Sequence, residues 1–129
     1  MRQVLFVISF VLIANANSIW WNSNFDKAHH KARKTSKKIM VLLIEKDAKA
    51  NNNILVNTFM NQDYIDKINE DYISVLITKN QDISYPIELL FTTIYPSVFF
   101  LNDLEIYVCE PIRGGLTPER LKTHLDKCK

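Results

Sequence analysis

Six consecutive apolar residues, Ile39-Met40-Val41-Leu42-Leu43-Ile44, stand between a lysine-rich stretch and a polar one, and they constrain the fold more than any other segment. A strand points successive side chains to opposite faces, so a run without polar alternation has no face to give to water. The run is short and branched, which favours a strand buried on both sides by helices. Tyr72-Ile73-Ser74-Val75-Leu76-Ile77-Thr78 reads as a second strand. A helix is expected from Phe25 to about Thr35, capped by Ser23 or Asn24, with Phe25, Ala28 and Ala32 inward and a basic, solvated face opposite. Leu55, Val56, Phe59 and Met60, then Tyr64, Ile65 and Ile68, predict a helix interrupted or bent near Asp63. Pro86 to Phe91 reads as a short helix, and Thr117 as the N-cap of a last helix that starts at Pro118 and turns Leu121 and Leu125 inward. Val98 to Leu101 and Glu105 to Cys109, separated by Asn102-Asp103-Leu104, predict a hairpin. These elements imply an α/β chain with a four-stranded mixed sheet flanked by helices.

The N-terminus is read separately from the fold. Met1-Arg2-Gln3 is followed by ten residues, Val4 to Ile13, of which only Ser9 is polar, and then by Ala14-Asn15-Ala16. This is the pattern of a cleavable export signal with cleavage after Ala16, and it is too short to span a bilayer. Removing residues 1–16 of 129 leaves 113, enough for one domain over 17–129. The expected location is periplasmic or secreted, with no membrane attachment once the signal is removed. The charge left after processing is close to balanced, which argues against a nucleic-acid partner. Two cysteines, Cys109 and Cys128, lie 19 residues apart, with no CxxC and no Cys/His spacing suited to zinc. No nucleotide-binding loop or hydrolase motif is present, so no cofactor and no metal is expected.

The element order, together with Tyr95-Pro96 directly before the Val98 strand, resembles the thioredoxin fold, and within it the small periplasmic thioredoxin-like proteins. The likeness runs from Phe25 to Lys38 into the Ile39 to Ile44 run, through Phe59 and Ile68 to Ile73, Tyr85 to Leu90 and Ile94 to Asn102, to the Gly114-Gly115 turn. In that family a CxxC motif caps the helix after the first buried strand, because a helix N-terminus stabilises a thiolate. The positions that match by resemblance are Ala48 and Asn51, neither of which can act as nucleophile or resolving thiol. The resemblance also implies a cis proline at Pro96, with an extended peptide pairing to the backbone just before it. Tyr95 replaces the small or branched residue usual there, so its ring either fills the vacated cysteine cleft or stacks on a partner.

Other residues carry weaker readings. Backbone N–H groups from Ala48 to Asn53, with Lys49 nearby, could receive an anion, although Asn51 to Asn53 serve equally as helix caps. Cys109 and Cys128 are read as a structural bridge, with two free thiols or a catalytic pair as the alternatives. His29 and His30 point about 100° apart on a helix and cannot readily share a metal with each other, and His124 lies far along the chain. Trp20-Trp21 is read as a lid on the edge of the core, and Glu45 and Asp47 as polar ends of the first strand without an acid/base partner. The function expected is a redox-inactive module that binds an exported protein or peptide. The alternative is a protein related to thiol-disulfide oxidoreductases that uses Cys109 and Cys128 or works beside a redox-active partner. The oligomeric state is not readable from the residues.

Expression of the full chain in an exporting host should yield a protein beginning at Asn17 by intact mass. A product that retains residues 1–16 would refute cleavage after Ala16.

Overall fold

The computed structural model describes residues 18–45, 58–59, 62–79 and 85–128. In chain order the elements are β1 (Trp21–Asn22), α1 (Phe25–Thr35), β2 (Lys38–Ile44), α2 (Gln62–Asp71), β3 (Tyr72–Thr78), β4 (Ser97–Leu101), β5 (Ile112–Arg113) and α3 (Pro118–Lys127). Thr58 and Phe59 are helical ahead of α2. The proposed export signal, Ala48, Asn51 and the other residues from Lys46 to Asn57 lie outside the described residues, and so does part of the helix expected to bend near Asp63.

The strands form one mixed sheet in the order β1-β3-β2-β4-β5. β3 runs parallel to β1 and β2, whereas β4 is antiparallel to β2 and β5 antiparallel to β4. Val41 stands at the centre, opposite Val75 on one side and Phe99 on the other. The uniform apolar run is explained by the two cores. Ile39, Val41 and Leu43 join Phe25, Ala28 and Ala32 of α1, while Met40 and Leu42 join Ile65 and Ile68 of α2 and Leu121 and Leu125 of α3. Strand alternation therefore fills both layers from one segment.

The helix ends follow local chemistry. Asn24 Oδ1 accepts the Lys27 N–H at 2.9 Å to start α1, and Ser36 closes it in the left-handed region at φ 58°. Thr117 Oγ1 accepts the Arg120 N–H at 3.1 Å to start α3, with Pro118 in the first turn.

Three expectations need correction. The sheet has five strands rather than four, because Trp21–Asn22 pairs with Ser74 and Val75 along the outer edge of β3. A two-residue strand leaves almost no periodic trace in a sequence. The chain does double back after β4, but Glu105 to Cys109 is not a strand. Its pairing is confined to a bridge between Leu101 and Tyr107, and the strand that lies against β4 is Ile112–Arg113. The Asn102 side chain accepts N–H bonds from both Leu104 and Ile106, and Glu105 takes a positive φ of 62°, which bends the returning chain away from regular pairing. Pro86 to Phe91 forms turns rather than a helix, with a single bond from Leu90 N–H to the Pro86 carbonyl. Six residues provide too few such bonds to offset the cost of nucleating a helix.

Tyr72 begins β3 beneath α3, and its hydroxyl donates to the Cys128 carbonyl at 3.4 Å. Burial, with the Asp71 charge adding to it, pushes this phenol up from 10.0 to about 12. A raised acid pKa means that the folded state holds the proton longer than the unfolded chain does, so this contribution to stability is complete below pH 10 and is lost as pH rises toward 12. Ultraviolet titration should show one tyrosine ionising about two pH units after an ordinary tyrosine, and Tyr72→Phe should remove that late step. Its persistence in the variant would assign the step to another residue.

Candidate functional site

The register of β4 against β2 places Ser97 opposite Leu43, so the loop that enters β4 lies beside the end of the central strand. That loop runs from Thr92 to Pro96, and its Tyr95–Pro96 peptide bond is cis. Hydroxyl groups hold it from inside. Thr92 Oγ1 accepts the Ile94 N–H at 3.1 Å and lies 3.1 Å from Ser97 Oγ, which in turn donates to the Ile94 carbonyl at 2.6 Å. Both hydroxyl residues are buried, so these bonds replace water that cannot reach them. Sequence reasoning passed over Thr92 and Ser97. The available signal was a hydroxyl residue on each side of Tyr95-Pro96.

Gly114 closes the loop from its other side. Its N–H donates to the Pro96 carbonyl at 3.0 Å. Its φ is +73°, and a Cβ there would meet Ile94 Cγ2 at 2.7 Å, so both conformation and space call for glycine. Arg120 secures the turn by donating from Nη1 to the Gly114 carbonyl at 2.8 Å.

Tyr95 is half-buried. Its hydroxyl donates to the Thr92 carbonyl at 3.1 Å, and Lys79 Nζ stands 5.0 Å from the centre of its ring. The ring is thus engaged within the chain on at least these two sides, and its relation to Ala48 and Asn51 falls outside the described residues. The backbone N–H and carbonyl of Tyr95 have no hydrogen-bond partner among the described residues. A cavity of about 350 Å³ opens beside them, bounded by Leu43, Lys79, Tyr85, Phe91 and Tyr95. Around it Ile87 and Phe91 are 59% and 61% exposed, and Ile94 is 51% exposed.

The remaining candidates are dispersed. Cys109 and Cys128 form a disulfide with a Cα separation of 5.5 Å, joining the chain after β4 to the C-terminal end of α3. His29 bonds through Nδ1 to Glu105 at 2.8 Å and through Nε2 to the Asp103 carbonyl at 2.9 Å, which fastens α1 to the β4–β5 connection. His30 is exposed, and His124 stacks on Phe100 at 5.8 Å. Among the described residues no three His, Cys, Asp or Glu side chains gather as a metal site. Trp21 packs edge-on against Phe59 at 5.2 Å, whereas Trp20 is 62% exposed, so only the second ring of the pair covers the core. Glu45 is exposed at the end of β2.

No protein-family model and no curated protein matches the chain. Solved structures do. The chain is similar to a DsbH oxidoreductase, with a TM-score of 0.68 and 11% identity over 88% of this chain and 85% of that one. It is also similar to thioredoxin O2 from Arabidopsis thaliana in its oxidized state, with a TM-score of 0.57 and 16% identity over 86% of this chain and 94% of that one. The chain has the thioredoxin fold.

The disulfide closes a loop of 19 residues, for which the chain-entropy model gives a stabilisation of roughly 3 kcal/mol. The double variant Cys109→Ser, Cys128→Ser should lose about that much in urea denaturation, with a higher m-value because the unfolded chain is no longer crosslinked. A loss below about 0.5 kcal/mol would mean that the last helix is held without the bridge.

Proposed function

We propose that this chain is an exported thioredoxin-fold module that binds an extended peptide or protein segment and does not exchange disulfides itself. The observation that carries this reading is the Thr92 to Ser97 loop, which leaves the Tyr95 backbone without a partner among the described residues and sets exposed apolar side chains beside it. An extended segment laid along such backbone satisfies the open groups by strand addition, and adjoining pockets select its side chains. Ile87 and Phe91 offer apolar contact for such side chains, and Lys79 lines the same cavity.

The cysteine inventory supports the reading that the chain does not exchange disulfides. The chain has two cysteines, and both are consumed by the Cys109–Cys128 bridge. Cys128 is buried at the C-terminal cap of α3, where the negative end of the helix dipole disfavours a thiolate. The bridge is therefore poorly placed to take over the role of an N-terminal CxxC. The names of the two similar structures describe an oxidoreductase and a thioredoxin, and the likeness to this chain is one of fold.

Two measurements test the proposal. Insulin reduction by dithiothreitol should proceed at the buffer rate in the presence of the purified protein, and acceleration would refute redox inactivity. Unfolded, carbamidomethylated α-lactalbumin should bind saturably, and Phe91→Asp should weaken that binding about tenfold, as for the loss of a central apolar contact, with an unchanged far-ultraviolet spectrum. Equal binding by the variant would move the interface away from this loop.

A further inference from the structure

His29 stands on α1 against the connection between β4 and β5, and both of its ring nitrogens are engaged there. Nδ1 lies 2.8 Å from a carboxylate oxygen of Glu105, and Nε2 lies 2.9 Å from the main-chain carbonyl oxygen of Asp103. A carbonyl oxygen and an ionised carboxylate can only accept. A neutral imidazole has a single N–H, so it serves one of these acceptors and turns a lone pair toward the other. Only the imidazolium donates to both. The geometry therefore couples this contact to one proton.

The surroundings of the ring leave that coupling in place. The strands beneath α1 turn apolar side chains toward it, among them Ile39, Val41, Val75 and Leu101, and the Phe25 ring lies 6.1 Å from the imidazole. Charged groups reach the ring from the connection, as Glu105 and Asp103, and along α1, as Asp26 three residues before it and Arg33 four residues after it. His29 and Glu105 are both partly buried, so their contact is shielded from water while the ring still exchanges its proton with solvent.

The segment held in this way has few other anchors. Glu105 takes a φ of 62°, a left-handed conformation that a residue with a Cβ adopts at a cost. Asn102 closes the turn from within: its side chain accepts the N–H groups of Leu104 and Ile106, and its carbonyl accepts the Glu105 N–H at 3.0 Å. Leu104 and Ile106, on either side of Glu105, are exposed and give the turn little apolar burial. The two bonds to His29 tie it to a helix.

We propose that His29 is a proton-operated clamp: charged, it fastens the turn from Asn102 to Ile106 to α1 through Glu105 and Asp103, and neutral, it gives up one of the two bonds and loosens the turn. Histidine side chains change charge between about pH 5 and 8, and glutamate side chains are ionised above about pH 4.3. The clamp is closed in mildly acidic solution and released in alkaline solution. It does not depend on the peptide-binding reading of the Tyr95 loop.

Amide hydrogen exchange of the purified protein tests the clamp, read as protection factors so that the intrinsic pH dependence of exchange drops out. The Leu104, Glu105 and Ile106 amides should be about fivefold better protected near pH 5.5 than near pH 8.5, the upper range for a partly exposed ion pair, while the amides of β2 should keep the same protection at both. His29→Gln can still donate to one acceptor but takes up no proton, so it should abolish the difference. His30→Gln, at an exposed position on the same helix, should retain it. Equal protection of the three amides at both pH values in the wild type, or an undiminished difference in His29→Gln, would overturn the proposal.

Discussion

Burial of β2 on both faces is the constraint on which the other elements depend. Ile39, Val41 and Leu43 require a cover on one side and Met40 and Leu42 on the other, so a single strand commits the chain to two helical layers. The same division appears in β4, where Phe99 joins the layer of α1 and Phe100 the layer of α2 and α3. Each of these residues is nearly inaccessible to water, and apolar burial of that kind, at about 25 cal/mol per Å², is the main favourable term in folding. Neighbouring strands supply the backbone partners, and the helices supply the apolar ones.

This arrangement also decides where binding surfaces can form. Because β4 is antiparallel to β2, its entry loop arrives at the end where β2 and β3 finish, and Tyr95 meets Lys79 there. The hydroxyls of Thr92 and Ser97 and the backbone of Gly114 hold that loop from the protein side, and among the described residues the backbone of Tyr95 has no hydrogen-bond partner. The opposite corner of the sheet is closed only by the two residues of β1, and the short closure leaves the basic cavity between α1 and the edge of β3. One corner is lined by apolar side chains and Lys79, and the other by Lys31 and Lys37.

The disulfide bears on both stability and chemistry. It joins the C-terminal end of α3 to the irregular chain after β4, which lacks the regular ladder that would otherwise hold it. It also takes up the only two sulfhydryl groups in the sequence. His29 adds a second tie to the same connection through Glu105 and Asp103. A segment with so little strand pairing is thus fastened by covalent and polar contacts to helices on both sides of the sheet.

Much of the architecture was legible in the residues. The Ile39 to Ile44 run, the Tyr72 to Thr78 strand, the caps at Asn24 and Thr117 and the inward faces of α1 and α3 all follow from side-chain periodicity and local hydrogen bonding, which depend on neighbours in sequence. The residues failed where the outcome depended on distant partners. β1 exists because Ser74 and Val75 offer it an edge, and β5 takes the place beside β4 because Asn102 bends the intervening chain. Likewise Lys31, Lys37 and Trp20 read separately as a solvated face and an aromatic lid, and the structure brings them to one cavity. By itself the sequence determined which segments must be buried and on how many sides. Only the tertiary structure decided which loops and edges meet, because hydrophobic burial is non-directional, whereas a binding site requires particular polar groups at particular distances.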